Sequence, residues 1–262
     1  MTIGSSIRAG RRLCVVAVLL SGCASTADPG SQAIRESLQQ VAATAESEGD
    51  YAAAANHYRN LVDRRPDDIG ATLGLARNLR YSGHANTAVE VLDKSAAKFA
   101  DALPFIVERG KANLAVGNVN EAIGHLATAR ARDDKNWEIH AALGIAYDLN
   151  EAFAKARESY GRALQLSKDN PVVLNNMAIS AALAGDVEGA IATLEKAPPA
   201  ARRSPQVRQN LALFYGIKGD MDKAEALAKM DLDEASVRNN LAVFSRFHAQ
   251  QPRPSAPAPR SQ

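Results

Sequence analysis

Small residues return every 34 positions along this chain, and that period constrains its fold more than any other feature. Stepping by 34 from Gly49 reaches Gly83, Gly117, Glu151, Gly185 and Gly219. From Ala54 the same step finds Ala88, Ala122, Ala156, Ala190 and Ala224. From Ala42 it finds Ala76, Gly110, Gly144, Ala178 and Ala212, all small. From Tyr58 it reads Leu92, Leu126, Tyr160, Leu194 and Ala228, and Tyr51 opens a row, Ala85, Val119, Phe153, Val187 and Met221, that stays apolar. Alanine is common here, so one row could be chance. Several rows sharing one register define a tandem repeat of six units, from about Arg35 to Met230.

Each row has a mechanical meaning. The glycine ends the first helix of a hairpin, where a left-handed residue is often required. The small residues of the Ala42 and Ala54 rows sit where two helices cross closely, and the Tyr58 row supplies the bulky knob. Pro66, Pro171 and Pro205 fall near hairpin boundaries, where proline can start a helix but not continue one. A helix–turn–helix unit of this length resembles the tetratricopeptide repeat. The resemblance implies an all-α solenoid of about six hairpins. Low aromatic content, 5%, suits such close helix packing. Glu151 departs from the glycine row. Arg109 departs from an apolar row made by Val41, Leu75, Leu143, Met177 and Leu211. The segment "QVRQNLALF" at Gln206 returns as "SVRNNLAVF" at Ser236 after 30 residues, not 34. Glu234 to Phe247 is therefore expected to be a C-terminal capping helix over the last apolar face.

The ends differ from the array. Leu13 to Leu20 is apolar but far shorter than the ~20 residues that span a bilayer. Arg8, Arg11 and Arg12 precede it, as in a secretory signal. Leu20-Ser21-Gly22-Cys23 resembles a bacterial lipobox, which implies cleavage before Cys23 and a lipid anchor on it. Two or more acyl chains anchor stably. Ala24, where an aspartate favours inner-membrane retention, favours an outer-membrane, periplasm-facing location. The expected organisation is a signal over residues 1–22, a lipidated cysteine and tether over 23–34, the solenoid over 35–248 and a Pro-rich tail over 249–262. Loss of the signal's three arginines lowers the formal charge from +2 to −1, which leaves no nucleic-acid footprint.

No phosphate loop, dinucleotide turn, H-E-x-x-H or C-x-x-C occurs. The cysteines are Cys14 and Cys23, so the mature array carries no thiol. The five histidines are scattered among the units. No cofactor, metal or catalytic residue is expected, and surface is what remains. In such arrays the first helices line a concave groove. The positions facing it give Arg77, Arg80 and Lys111 as a basic mouth, leading to an apolar floor of Ile145, Ile179 and Leu213. Asn175, Asn176, Gln209 and Asn210 lie beside that floor, with amides able to bond a peptide backbone. The expected occupant is a peptide or helix of another protein.

A narrower likeness lies in the last third. Val207-Arg208-Gln209-Asn210-Leu211-Ala212, Ala224-Glu225-Ala226, Asp231-Leu232 and Asn240-Leu241-Ala242 resemble the TadD family, lipoproteins of the tight adherence (Tad/Flp) pilus assembly system. The lipobox, six repeats and length agree with that family's plan. The resemblance implies a role in assembling or localising the outer-membrane secretin or another pilus component, in adhesion and biofilm formation. It assigns no contact residue. A general envelope scaffold, serving cell-wall enzymes or outer-membrane insertion, shares the anchor and the repeats.

Overall fold

Glycine and aspartate set the turns of this protein. Gly49, Gly83, Gly117, Gly185 and Gly219 all take left-handed φ values, from +80° to +99°. Asp50, Asp186 and Asp220 follow three of them, and each carboxylate accepts the backbone N–H three residues on, so that the next helix begins capped. Glu151 keeps the left-handed turn at φ +55°, without glycine's freedom.

The computed structural model describes residues 29–250, and every regular element among them is a helix. The helices pair as hairpins: α1 (Pro29–Ser47) with α2 (Tyr51–Arg64), α3 (Ile69–Tyr81) with α4 (Ala85–Phe99), and α5 (Leu103–Val116) with α6 (Val119–Arg132). They continue as α7 (Trp137–Leu149) with α8 (Phe153–Leu166), and α9 (Pro171–Leu183) with α10 (Val187–Glu195). After the single turn α11 (Pro199–Arg202), α12 (Pro205–Lys218) pairs with α13 (Met221–Ala228), and α14 (Glu234–Gln250) packs on both. The array is the six-hairpin, all-α solenoid with a closing helix that the period predicts.

Close crossings hold each hairpin together. The six alanines of the Ala54 row expose no surface at all, nor do Ala42, Ala76, Ala178 and Ala212. Where glycine replaces alanine, the reason is contact. A Cβ on Gly144 would lie 2.4 Å from the Tyr160 ring, and one on Gly110 would lie 2.6 Å from Leu126. The knob thus rests on the small residue of its own unit. Tyr58 instead leans on Gly74 of the next unit, where a Cβ would meet its ring at 2.5 Å.

Two helix boundaries depart from the regular plan. α1 begins at Pro29, so residues assigned to the tether already belong to the first helix. α10 stops at Glu195, because Pro198 and Pro199 cannot continue it, and α11 fills the gap before α12. Cys23, the signal segment and residues 251–262 of the Pro-rich tail lie outside the described residues.

Candidate partner-binding groove

The first helices of successive hairpins touch one another in order, α3, α5, α7, α9 and α12, and the closing helix α14 packs next on α12. Each second helix packs instead on its own partner and on the following first helix. One face of the molecule is therefore built from first helices alone. An open cleft of about 520 Å³ lies on it, lined by α3, α5, α7 and α9. Arg80, Lys111, Ile145 and Asn176 all line this cleft, with Tyr81, Leu114, Trp137, Leu149 and Val172. Ile179 and Leu213 lie further along, half-buried against the core of the fifth and sixth units.

The cationic residues form no basic mouth. Arg77 of α3 holds Glu46 of α1 through both guanidinium arms, at 2.6 and 2.9 Å. Its hydrogen bonds hold the Glu46 carboxyl below the usual carboxylate range, against the opposing effect of burial. Arg80 of α3 pairs with Glu108 of α5 at 3.0 Å, and Lys111 of α5 pairs with Glu138 of α7 at 2.7 Å. Each pair bridges two neighbouring first helices, so these charges clasp units together and cancel. The acids sit at three different repeat positions. No row of the sequence therefore announces them.

Three of the four amides are also spent. Asn175 is only 3% exposed, and its oxygen accepts the Asn210 amide at 2.6 Å. Gln209 donates to Asp231 at 3.2 Å, and its own oxygen is buried without a partner. Asn176 alone keeps its amide in the cleft. Asp148 of α7 is half-buried and accepts two hydroxyls, Tyr160 at 2.8 Å and Ser180 at 2.5 Å. Burial raises its pKa, and the two hydroxyls only partly offset that.

One row escaped the sequence reading. At or next to the last position of the first helices from α3 to α12, Tyr81, Ala115, Leu149, Leu183 and Ile217 stand 34 apart and are apolar, in a row that begins with Ser47 of α1. Tyr81, Leu149 and Leu183 are 52%, 55% and 60% exposed. Phe247 of α14 continues the row after 30 residues at 48%. The signal was present at fixed spacing. An exposed apolar row and a buried one read alike until the fold says which way it faces.

A second cleft of about 730 Å³, on the other side, is lined by residues of α6, α7 and α8 and by Asp134. It is polar. Arg162 pairs with Asp134 at 2.9 Å, and buried His140 is satisfied by the Asp134 carbonyl at 2.9 Å. Among the described residues no group of three or more His, Cys, Asp or Glu is placed to hold a metal ion. No described helix is long and apolar enough to cross a membrane.

Stacked hairpins with one open face define a helical-repeat scaffold. Tetratricopeptide repeat models match residues 45–104 and 149–214, and residues 107–171. The chain belongs to the tetratricopeptide repeat family, whose arrays typically act as non-catalytic protein-interaction scaffolds. Among solved structures it is similar to TTC0263, a thermophilic TPR protein of Thermus thermophilus. The identity is 20% over 66% of this chain and 96% of that one, with a TM-score of 0.58. It is also similar to MamA from Desulfovibrio magneticus RS-1, at 17% identity over 62% and 92% of the two chains and a TM-score of 0.51. A chain of the APC/C heterotetramer Cut9–Hcn1 aligns over 80% of this protein but 42% of its own length, at 15% identity and a TM-score of 0.64. At these identities the likeness is one of fold. A search of the curated proteins finds no match.

Proposed function

We propose that this protein is a lipid-anchored, periplasm-facing docking protein of the outer membrane that helps assemble or localise the secretin, or another component, of a Tad/Flp-type pilus. The observation that carries the docking part is the cleft of about 520 Å³ on the first helices, with Trp137, Ile145, Leu149 and Val172 turned into it. An apolar face of this kind, left open on a scaffold, is a site for another protein. Support for the anchor comes from Leu20-Ser21-Gly22-Cys23, and support for the pilus comes from the residues of the last third that resemble the TadD family.

Fractionation and affinity purification from the native envelope test this reading. The parent protein should sediment with outer membranes and bring down the secretin, and Cys23→Ser should leave the membrane fraction. Cells lacking the protein should assemble less secretin and adhere poorly. Normal secretin assembly and adhesion in those cells would refute the pilus role. A cell-wall hydrolase or an outer-membrane insertion component in place of the secretin would make this a general envelope scaffold.

A further inference from the structure

The polar cleft of about 730 Å³ lies off the groove, and its size suits a bound small molecule. α7 supplies its base through His140 and Tyr147, which are seven residues apart and so share one helix face. α8 supplies a wall through Lys155, Glu158, Ser159 and Arg162, at the spacing of a single face, and α6 adds Arg130. Every residue around the cleft except Gly161 carries a polar group. That glycine sits inside α8, where glycine weakens a helix. No left-handed turn requires it, and a Cβ there would meet no atom within 4 Å. Its effect is to leave room at the wall.

Charge and hydrogen bonding choose the ligand. Three cations, Arg130, Lys155 and Arg162, face two carboxylates, Asp134 and Glu158, which leaves one positive charge. Arg162 is held by Asp134 at 2.9 Å. Arg130 and Lys155 form no ion pair among the described residues. Lys155 instead lies 5.7 Å over the Tyr147 ring. A single negative charge balances this cleft, whereas a dianion would lack a counter-charge and would meet Glu158. A carboxylate only accepts hydrogen bonds, and Arg130 and Lys155 only donate them. Around these two stand groups of mixed sense: the Tyr147 hydroxyl, the Glu158 carboxylate and the Gln165 amide. Ligand hydroxyls donate and accept at once and match such a lining, while an apolar acid would leave it unpaired. The sixth unit supplies a contrast. There Tyr215 and Lys223 repeat the pair, at 4.7 Å. Lys223 meets Asp220 at 3.2 Å, Arg208 meets Asp231, and Leu211, Leu227 and Met230 turn the cleft of about 410 Å³ apolar.

We propose that the polar cleft of the fourth unit is a binding site for a sugar acid, a polyhydroxylated ligand whose one carboxylate is held by Arg130 and Lys155 and whose hydroxyls meet Tyr147, Glu158 and Gln165. The site is separate from the groove and goes beyond the docking reading.

Titration of the full chain, purified in a detergent without a sugar headgroup, tests it. The probes are glucuronate, glucose and glucose 6-phosphate at neutral pH, followed by saturation-transfer NMR. Glucuronate should bind roughly tenfold more tightly than either of the others, since only it matches both the charge and the hydroxyl count. Arg130→Gln with Lys155→Gln should weaken glucuronate by roughly tenfold or more and leave glucose unchanged. Both side chains are exposed, so an unchanged melting curve verifies that this variant folds. Gly161→Leu keeps every cation and fills the empty space at the wall. It should abolish glucuronate binding while melting at or above the parent. Glucose binding as tightly as glucuronate, or glucose 6-phosphate binding more tightly, would overturn the choice of ligand. Glucuronate binding that survives both variants would place the ligand elsewhere on the protein and overturn the site. Absence of transfer to glucuronate at millimolar concentration would overturn the proposal outright and leave the docking reading standing.

Discussion

Gly144→Ala sets two known effects against each other at one atom. Alanine in a helix interior is favoured over glycine by ~1 kcal/mol, so propensity alone predicts a more stable protein. The structure predicts the opposite. The new Cβ would fall 2.4 to 2.7 Å from three carbons of the Tyr160 ring. That ring is 1% exposed, and its hydroxyl is held by Asp148 at 2.8 Å, so it cannot swing away without breaking that bond. Overpacking of this kind costs ~1–3 kcal/mol, and weakening a hydrogen bond to a charged group adds to it. The net expectation is a loss of about 1–2 kcal/mol after the propensity gain. For a chain of this size that lowers the melting temperature by about 2–8 °C. Thermal unfolding followed by circular dichroism at 222 nm provides the assay. A second variant isolates the cause. Gly144→Ala with Tyr160→Leu recreates the pairing of Ala76 with Leu92, both essentially buried in the second unit. The double variant should melt above the single one, although it gives up the tyrosine hydroxyl. A single variant that melts at or above the parent would refute the argument that the small-residue row exists to admit the knob.

Glu151→Gly should stabilise the protein by about 0.5–1 kcal/mol, since a left-handed turn at φ +55° strains any side chain and glycine relieves it; an unchanged or lower melting temperature would count against this. Arg80→Ala leaves Glu108, 7% exposed, without its partner. The expected cost is about 2–4 kcal/mol by urea titration, and Arg80→Ala with Glu108→Ala should recover part of it. Equal stability of the two variants would show that the pair is not coupled. Asp148 has a raised native pKa, chiefly from burial, so it binds protons more tightly folded than unfolded. Its contribution to stability is therefore full below its unfolded pKa and is lost as pH rises through the folded one. Asp148→Asn should melt above the parent at pH 7, with the difference shrinking toward pH 4; a variant less stable at pH 7 would reverse the sign.

The repeat's length, its turns and its crossings were all legible in the residues. Glycine or its substitute at one row and alanine at another recur because each hairpin repeats the same local problem, and local problems leave periodic marks. Two helix starts were readable from Pro171 and Pro205, which open α9 and α12. The groove was legible in part. Arg80, Lys111, Ile145 and Asn176 line one open cleft on the first helices, since position within the unit decides the side of the helix.

What the amino-acid order determined alone, then, is the hairpin: its period, its caps, its small crossing residues and the count of its copies. What only the tertiary structure decided is the state of the side chains between hairpins. Arg77 finds Glu46 thirty-one residues back, Lys111 finds Glu138 twenty-seven ahead, and Asn210 finds Asn175 thirty-five back. These separations belong to no row, because a contact between units depends on how two helices lean together and how far each side chain reaches. The same leaning leaves Leu149, Leu183 and Phe247 about half exposed, although their row is indistinguishable from core in the sequence.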